Sequence, residues 1–333
     1  MSTQFPVLIA DIGGTFTRLA LVEHQDQPPR LIAKFKTADY PNPQTAFAAV
    51  LAQTQTAIPS TTLLAVAAPV AHARVHLTNA AWWIDPQEIG EALGFAHVRL
   101  VNDFPPIAAV LPQLDADNPN DVCALGPACR GDDGPKLVLG PGTGLGAALL
   151  RRLNNHQLIE PTEAGHIEFG ASSDDELALW PHLDRLDQRH TAESVLCGAG
   201  IERLYQALAR IKGKTIAPTG VAAITQAALA HDPDATDCLT FYARLLGRYA
   251  GDLALVFGAT GGVYIAGGIA PRIIPLLQSG AFRAGFENKA PFASMVKAIP
   301  TYVITRPDPA LHGLAQLASH PERYWLNSQT WTR

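Results

Sequence analysis

Ala10-Asp11-Ile12-Gly13-Gly14-Thr15-Phe16-Thr17-Arg18-Leu19-Ala20 joins two apolar runs through a glycine turn, and its reading decides the fold. The runs extend from Val7 to Glu23 and predict a β-hairpin with Gly13-Gly14-Thr15 at its tip. Glycine admits a positive φ and lets backbone approach an anion closely. Successive N–H groups at such a tip converge on phosphate oxygens, and the Thr15 hydroxyl adds a donor. The same residues also fit an ordinary hairpin turn. Asp11 ends the first strand. A carboxylate beside bound phosphate repels it unless a cation intervenes. Asp11 therefore reads either as a group that orients Mg2+, directly or through water, or as a turn-forming Asp.

A second stretch repeats the pattern. Lys136 to Leu150 reads as strand, glycine turn (Gly140-Pro-Gly-Thr-Gly-Leu-Gly146) and strand, with Gly142-Thr143-Gly144 as the second candidate phosphate cradle. It lacks the Lys-Ser/Thr of a P-loop. It is not a dinucleotide fingerprint either, because Ala147 to Leu150 reads as strand where a Rossmann site needs a helix N-terminus. Two halves that each open on a glycine-turn hairpin predict a duplicated α/β fold, and the Pro-, Gly- and Asp-rich stretch 112–136 reads as the crossing between them.

Between the hairpins, 44–53 has helical spacing, and 63–70 and 73–78 read as strands. Asp85-Pro86-Gln87-Glu88 is a helix start, with an N-cap acid, a first-turn proline and a glutamate, and Gly94 is its stop. Further helices are expected near 173–187, 198–211, 221–230, 234–257 and 271–278, with strands at 260–266 and 301–305. Asp308-Pro309 is a second N-cap and first-turn proline pair.

The sharpest local signal is His97-Val-Arg-Leu-Val-Asn102-Asp103-Phe104. A short strand delivers an amide and a carboxylate side by side into a loop. Phosphoryl transfer to an alcohol needs a base for the hydroxyl proton, and Asp serves without a raised pKa because the alcohol acidifies only as it reacts. The alternative is that Asn102-Asp103 caps the following helix. After the second hairpin come Glu163, His166 and, past Thr191, Glu193. Carboxylates, an amide and an imidazole are what a polyol site needs. Equally, Glu193 suits the first turn of a helix capped by Thr191, and His166 suits a satisfied core position. Glu168 and Asp174-Asp175-Glu176 read as a solvated helix start, and Trp82-Trp83 as core rather than a sugar-stacking surface.

The chain's 333 residues suit two domains or lobes, and its 47% hydrophobic and 17% charged residues suit a compact α/β protein. A net charge of −5 with no Lys/Arg run gives no electrostatic footprint for nucleic acid or an anionic membrane. Phosphate must then be held locally, by backbone N–H groups or a metal. No signal peptide or membrane span is expected, and Cys123, Cys129, Cys197 and Cys238 form no C-x-x-C pair, which fits free thiols in a reducing cytoplasm.

These motifs together resemble the bacterial glucokinase family of the hexokinase–actin–heat-shock ATPase superfamily, over nearly the whole chain. The resemblance is carried, in order, by Ala10 to Ala20, Leu77-Thr-Asn-Ala-Ala-Trp82, Val101-Asn-Asp-Phe104, Gly140 to Gly146, Glu163-Ala-Gly-His166, Ala192-Glu-Ser-Val-Leu-Cys-Gly198, Gly261-Gly-Val-Tyr-Ile-Ala-Gly-Gly-Ile269 and Phe282-Arg-Ala-Gly-Phe-Glu-Asn-Lys289. It implies an α/β fold of two lobes, each with an RNase-H-like mixed sheet flanked by helices, and an active site in the interlobe cleft. The lobes would be 1–111 with the C-terminal helix at about 306–320, and 112–305. Asp103 would be the catalytic base. Asn102, Asp103, Glu163, His166 and Glu193 would hold glucose. The two hairpins would cradle the phosphates of ATP, with Mg2+ at Asp11, and Gly267-Gly268 would back the adenosine. The implied protein is a cytoplasmic, homodimeric, ATP-dependent kinase acting on the glucose 6-hydroxyl and feeding glycolysis. Phe16 stands where the family usually has Asn, Thr162 and Ala164 replace two glycines, and Pro181 interrupts a stretch that is helical in relatives. Phe16 opens the alternative of another phosphoryl donor, and a kinase for another hexose or amino sugar is a further alternative. A non-catalytic sugar-binding regulator and an actin-like ATPase also compete with the kinase reading. The regulators carry an N-terminal DNA-binding helix pair that this chain does not show, and the sugar-facing residue set argues against the ATPase.

Overall fold

The computed structural model describes residues 3–70, 72–77, 80–126, 133–216 and 219–333. In the first part of the chain, strands β1 (Val7–Ile12), β2 (Phe16–Val22) and β3 (Arg30–Lys36) form a meander, followed by helix α1 (Pro43–Gln53) and strand β4 (Thr61–Val66). The short strands β5 (Val75–His76) and β6 (Trp83–Ile84) pair with each other, and α2 (Pro86–Leu93), β7 (His97–Asn102) and α3 (Phe104–Val110) follow. The expected strand at 73–78 is thus reduced to two residues among those described, and Thr78 and Asn79 lie outside the described residues, as does Cys129.

Strand β8 (Val122–Ala124) falls in the stretch read as a crossing. The second hairpin is β9 (Lys136–Pro141) and β10 (Leu145–Leu153), and β11 (His156–Thr162) follows. Helices α4 (Asp174–Leu179), α5 (Ala192–Leu196), α6 (Gly198–Ile211), α7 (Gly220–Leu229) and the long α8 (Pro233–Phe257) lead to β12 (Gly262–Ile265). Then come α9 (Ile274–Leu277), α10 (Ala281–Glu287), α11 (Ala293–Lys297), β13 (Thr301–Ile304) and α12 (Pro309–Ser319), and the chain closes on β14 (Tyr324–Leu326) and β15 (Gln329–Thr332). The helix expected over 173–187 stops early because Pro181 stands in it; only a 3-10 turn, Trp180–His182, continues it.

One sheet has the order β15-β7-β4-β1-β2-β3 and another the order β14-β11-β10-β9-β12-β13-β8. In the first, β1 runs parallel to β4 and antiparallel to β2, and Val7, Leu8, Ile9, Ala10 and Ile12 are all fully buried. A central strand covered on both faces reads as a continuous apolar run rather than an alternating one, and that is the sequence of β1. Its core takes in Phe47, Leu64, Trp82 and Phe95. In the second sheet, β12 lies parallel between β9 and β13, and its core includes Tyr242, Tyr249, Phe282 and Phe286.

By contacts the chain divides into two compact units. One is Met1–Gln113, Leu150–Pro161 and Pro307–Arg333; the other is Leu114–Leu149 and Thr162–Arg306. The second unit is therefore interrupted by the hairpin segment Leu150–Pro161, a feature with no sequence signal. The N-terminal signal of α2 is realised in full. The Asp85 carboxylate accepts the Gln87 and Glu88 N–H groups, and Gly94 closes the helix in the left-handed region at φ 79°. At α12 the cap differs from expectation: Asp308 has φ 44° and makes no side-chain cap hydrogen bond, because its carboxylate is turned to Arg18.

Candidate active site

The first unit supplies two clusters. In the β1–β2 hairpin Asp11 sits directly opposite Arg18, and Arg18 Nη1 donates to Asp11 Oδ2 at 3.1 Å. Arg18 Nε lies 3.0 Å from Asp308 Oδ1, so one guanidinium serves two carboxylates. Burial pushes the Asp11 carboxyl above the ordinary range, Arg18 pulls it back, and Asp308 adds to the rise. The tip is closed by Gly13 N–H donating to Phe16 O at 3.0 Å. It is tied sideways by Thr37, whose N–H donates to Thr15 O at 3.0 Å and whose hydroxyl donates to Gly13 O at 2.7 Å. Thr15 is exposed, and Phe16 is 38% exposed with the Lys34 ammonium 5.4 Å from its ring centre.

The other cluster is the end of β7. Val66 of β4 is the register partner of Asn102, and Asp103 N–H donates to Val66 O at 2.9 Å. Asn102 is fixed at both ends of its amide. Nδ2 donates to Ala68 O at 3.2 Å, and Oδ1 accepts Phe104 N–H at 3.0 Å. Each end keeps one further hydrogen-bonding position. Capping therefore falls to Asn102, not to Asp103. Asp103 stands at the N-cap of α3 with helical backbone and makes no side-chain cap hydrogen bond.

The second unit supplies the other predicted residues. Gly142 N–H donates to Gly144 O at 2.8 Å across the β9–β10 tip, and Gly198 N–H, at the start of α6, donates to Gly142 O at 2.8 Å. Glu193 lies in the first turn of α5, which is capped by a Thr191–Ser194 capping box. Its Oε2 accepts Leu145 N–H at 2.8 Å, so the carboxylate is anchored to the residue after the glycine tip. A Cβ on Gly144 would stand 2.6 Å from that oxygen, so a side chain here would push the carboxylate aside. Glu163 stands at the N-cap of the 3-10 turn Ala164–His166, and His166 ends it. His166 Nε2 lies 3.8 Å from Glu163 Oε2, and Nδ1 lies 4.0 Å from Glu193 Oε1. These separations are too long for hydrogen bonds and leave the three side chains able to share a ligand. His166 is 58% exposed, which removes the core-histidine alternative. Gly267, at φ 84°, lies against the start of the tip, where a Cβ would be 2.4 Å from Pro141 O; Gly268 follows it, exposed.

Several expectations are corrected. Gly13, Gly14, Gly142 and Gly144 do not use the left-handed region; among the predicted site glycines only Gly267 does. Glu176 is not solvated: it is 2% exposed, accepts Ser172 N–H at 2.8 Å and pairs with Arg248 at 3.3 Å. Trp82 is core and donates to Tyr40 O at 2.7 Å, but Trp83 is 46% exposed under Arg74. Sequence reading missed Arg18 and Asp308. For Arg18 the signal was present, since in a hairpin turning at Gly14 residues 11 and 18 face each other. Among the described residues no group of three or more His, Cys, Asp or Glu is placed to hold a metal ion. Asp11 shares Arg18 with Asp308, and so small a donor set fits an ion carried mainly by a nucleotide's phosphates.

A family model described as glucokinase matches residues 8–321. The chain is 39% identical over 326 residues to a glucokinase of Allorhizobium ampelinum, covering 98% of this chain and 95% of that one. Among solved structures it is similar to a glucokinase from an Antarctic psychrotroph, with a TM-score of 0.81, 32% identity, and coverage of 95% of this chain and 99% of that one. It shares the fold of a ROK family glucokinase from Streptomyces griseus in complex with glucose and AMPPNP, with a TM-score of 0.62, 18% identity, and coverage of 94% and 99%. With the motifs in order along these units, the chain belongs to the glucokinase family.

Proposed function

We propose that the chain transfers the γ-phosphoryl group of ATP to the 6-hydroxyl of D-glucose, with Asp103 as the base. As a member of the glucokinase family it is a hexose kinase. The observation that carries the assignment of the base is the division of labour at the end of β7, where Asn102 Oδ1, and not the Asp103 carboxylate, accepts the Phe104 N–H. In the reaction, Asp103 accepts the hydroxyl proton as the oxygen–phosphorus bond forms and the bond to the ADP oxygen breaks. Glu163, His166 and Glu193 accept and donate hydrogen bonds to the sugar hydroxyls, with the remaining donor and acceptor of Asn102. N–H groups at the Gly13-Gly14-Thr15 and Gly142-Thr143-Gly144 tips hold the phosphates, and Gly267-Gly268 lies along the adenosine. Mg2+, held at Asp11 with the nucleotide, would neutralise phosphate charge.

The reading extends to a cytoplasmic homodimer that supplies glucose 6-phosphate to glycolysis. The free thiols of Cys123, Cys197 and Cys238 support the reducing compartment, and no described helix is long and apolar enough to cross a membrane. The test is formation of glucose 6-phosphate by the purified protein as glucose and ATP are varied separately. Saturation in both is expected; turnover without glucose would overturn the reading. One observation favours a second reading of the donor. Exposed Phe16 replaces a hydrogen-bonding residue at the first tip, so ATP, GTP and polyphosphate belong in the same assay.

A further inference from the structure

The turn that carries Glu163 and His166 is gripped from below by a buried hydroxyl. Tyr249, on α8, is 1% exposed, and its hydroxyl donates to the carbonyl of Ala164, between the two sugar-side residues. Its ring meets the Phe169 ring edge-on, at 5.5 Å between centres and 81° between planes. Burial pushes the Tyr249 hydroxyl up, so it remains a proton donor throughout the working pH range. On its other side the turn is closed by β10, where a Cβ on Gly165 would stand 2.1 Å from Leu145 O. Leu145 is the residue whose N–H holds Glu193. The turn therefore sits between a tyrosine hydroxyl and the backbone that anchors the third sugar-side carboxylate. Arg248, beside Tyr249, extends the grip by donating to Gly170 O at 2.8 Å.

We propose that Tyr249 is a positioning residue for sugar binding: its hydroxyl, through the Ala164 carbonyl, sets where Glu163 and His166 present their side chains. This rests on the reading of those two residues as sugar ligands. A core tyrosine that only fills space would need its ring and not its hydroxyl, whereas positioning needs the hydroxyl.

Tyr249→Phe removes the hydroxyl and keeps the ring. Its glucose KM is expected to rise about threefold to tenfold, the scale of one lost hydrogen bond. Its ATP KM should stay within about twofold, and its Tm should fall by only a few degrees, because the buried Ala164 carbonyl loses one partner while the ring packing is kept. A second arm combines Tyr249→Phe with His166→Ala. If Tyr249 acts through the turn, the combined rise in glucose KM is smaller than the product of the separate rises. Unchanged glucose KM in Tyr249→Phe, equal rises in both substrates' KM, or strictly multiplicative effects in the double variant would each overturn the proposal. Glu163→Gln keeps the two readings apart. If it raises glucose KM while Tyr249→Phe does not, only the positioning role fails; if neither does, the assignment of the sugar ligands fails first.

Discussion

The two glycine hairpins look alike in sequence, yet they are held in different ways. The first tip is secured by uncharged partners, the Thr37 N–H and hydroxyl, while the carboxylate beside it, Asp11, is held back by Arg18. The second tip is secured by a carboxylate: Glu193 accepts Leu145 N–H, and its oxygen occupies the space beside Gly144. The first hairpin is thus built so that its acid answers to a cation. In the second, the acid that reads the sugar in our account also fixes the backbone of the phosphate tip. The glycines differ in necessity for the same reason. A Cβ on Gly144 would collide with Glu193, whereas one on Gly142 would meet nothing within 4 Å.

That contrast can be broken most forcefully at Gly144. Gly144→Ala displaces the Glu193 carboxylate from Leu145 N–H, a charge-assisted bond, and glucose KM should rise about tenfold to a hundredfold. A rise confined to ATP KM would show that Glu193 serves the tip alone. The first hairpin should respond differently. Arg18→Met leaves Asp11 without its cation and should cost about 1–3 kcal/mol of stability at neutral pH, with glucose KM unchanged. The sign of its pH dependence follows from Asp11, whose carboxyl is already raised by burial and rises further once Arg18 is gone. A raised carboxyl favours the folded state fully below its unfolded value of 3.8, and that contribution is lost as pH rises through the folded value. The Tm deficit of Arg18→Met relative to the parent should therefore shrink as pH falls toward 4, which thermal melts across pH would measure. The smallest effect belongs to Gly142→Ala, with both KM values within about twofold of the parent.

The sequence made the local parts of this picture legible. Glycine between apolar runs is enough to place both hairpins, and Asp85-Pro86 with Gly94 is enough to bound α2. The end of β7 was legible as a candidate because an amide and an acid stop a short apolar run. Which of the two side chains bonds the start of the following helix was not legible, since it depends on which of them reaches Phe104 N–H. Partners far apart in the chain were also hidden. Arg18 meets Asp308, Glu176 is buried against Arg248, and Tyr249 reaches Ala164, pairings that only the folded sheets and α8 bring about. The short β8, β14 and β15 escaped for another reason: each has three or four residues at or near a sheet edge, too few for a period to declare itself.

The central claim is that Asp103 removes the proton from the attacking hydroxyl. Asp103→Asn keeps the size and position of the side chain and removes its basicity. The measurement is steady-state formation of glucose 6-phosphate by this variant beside the parent, with glucose and ATP both saturating. The account predicts a fall in kcat of about 100-fold to 10,000-fold with glucose KM within about threefold. A variant that turns over at close to the parent rate would contradict it.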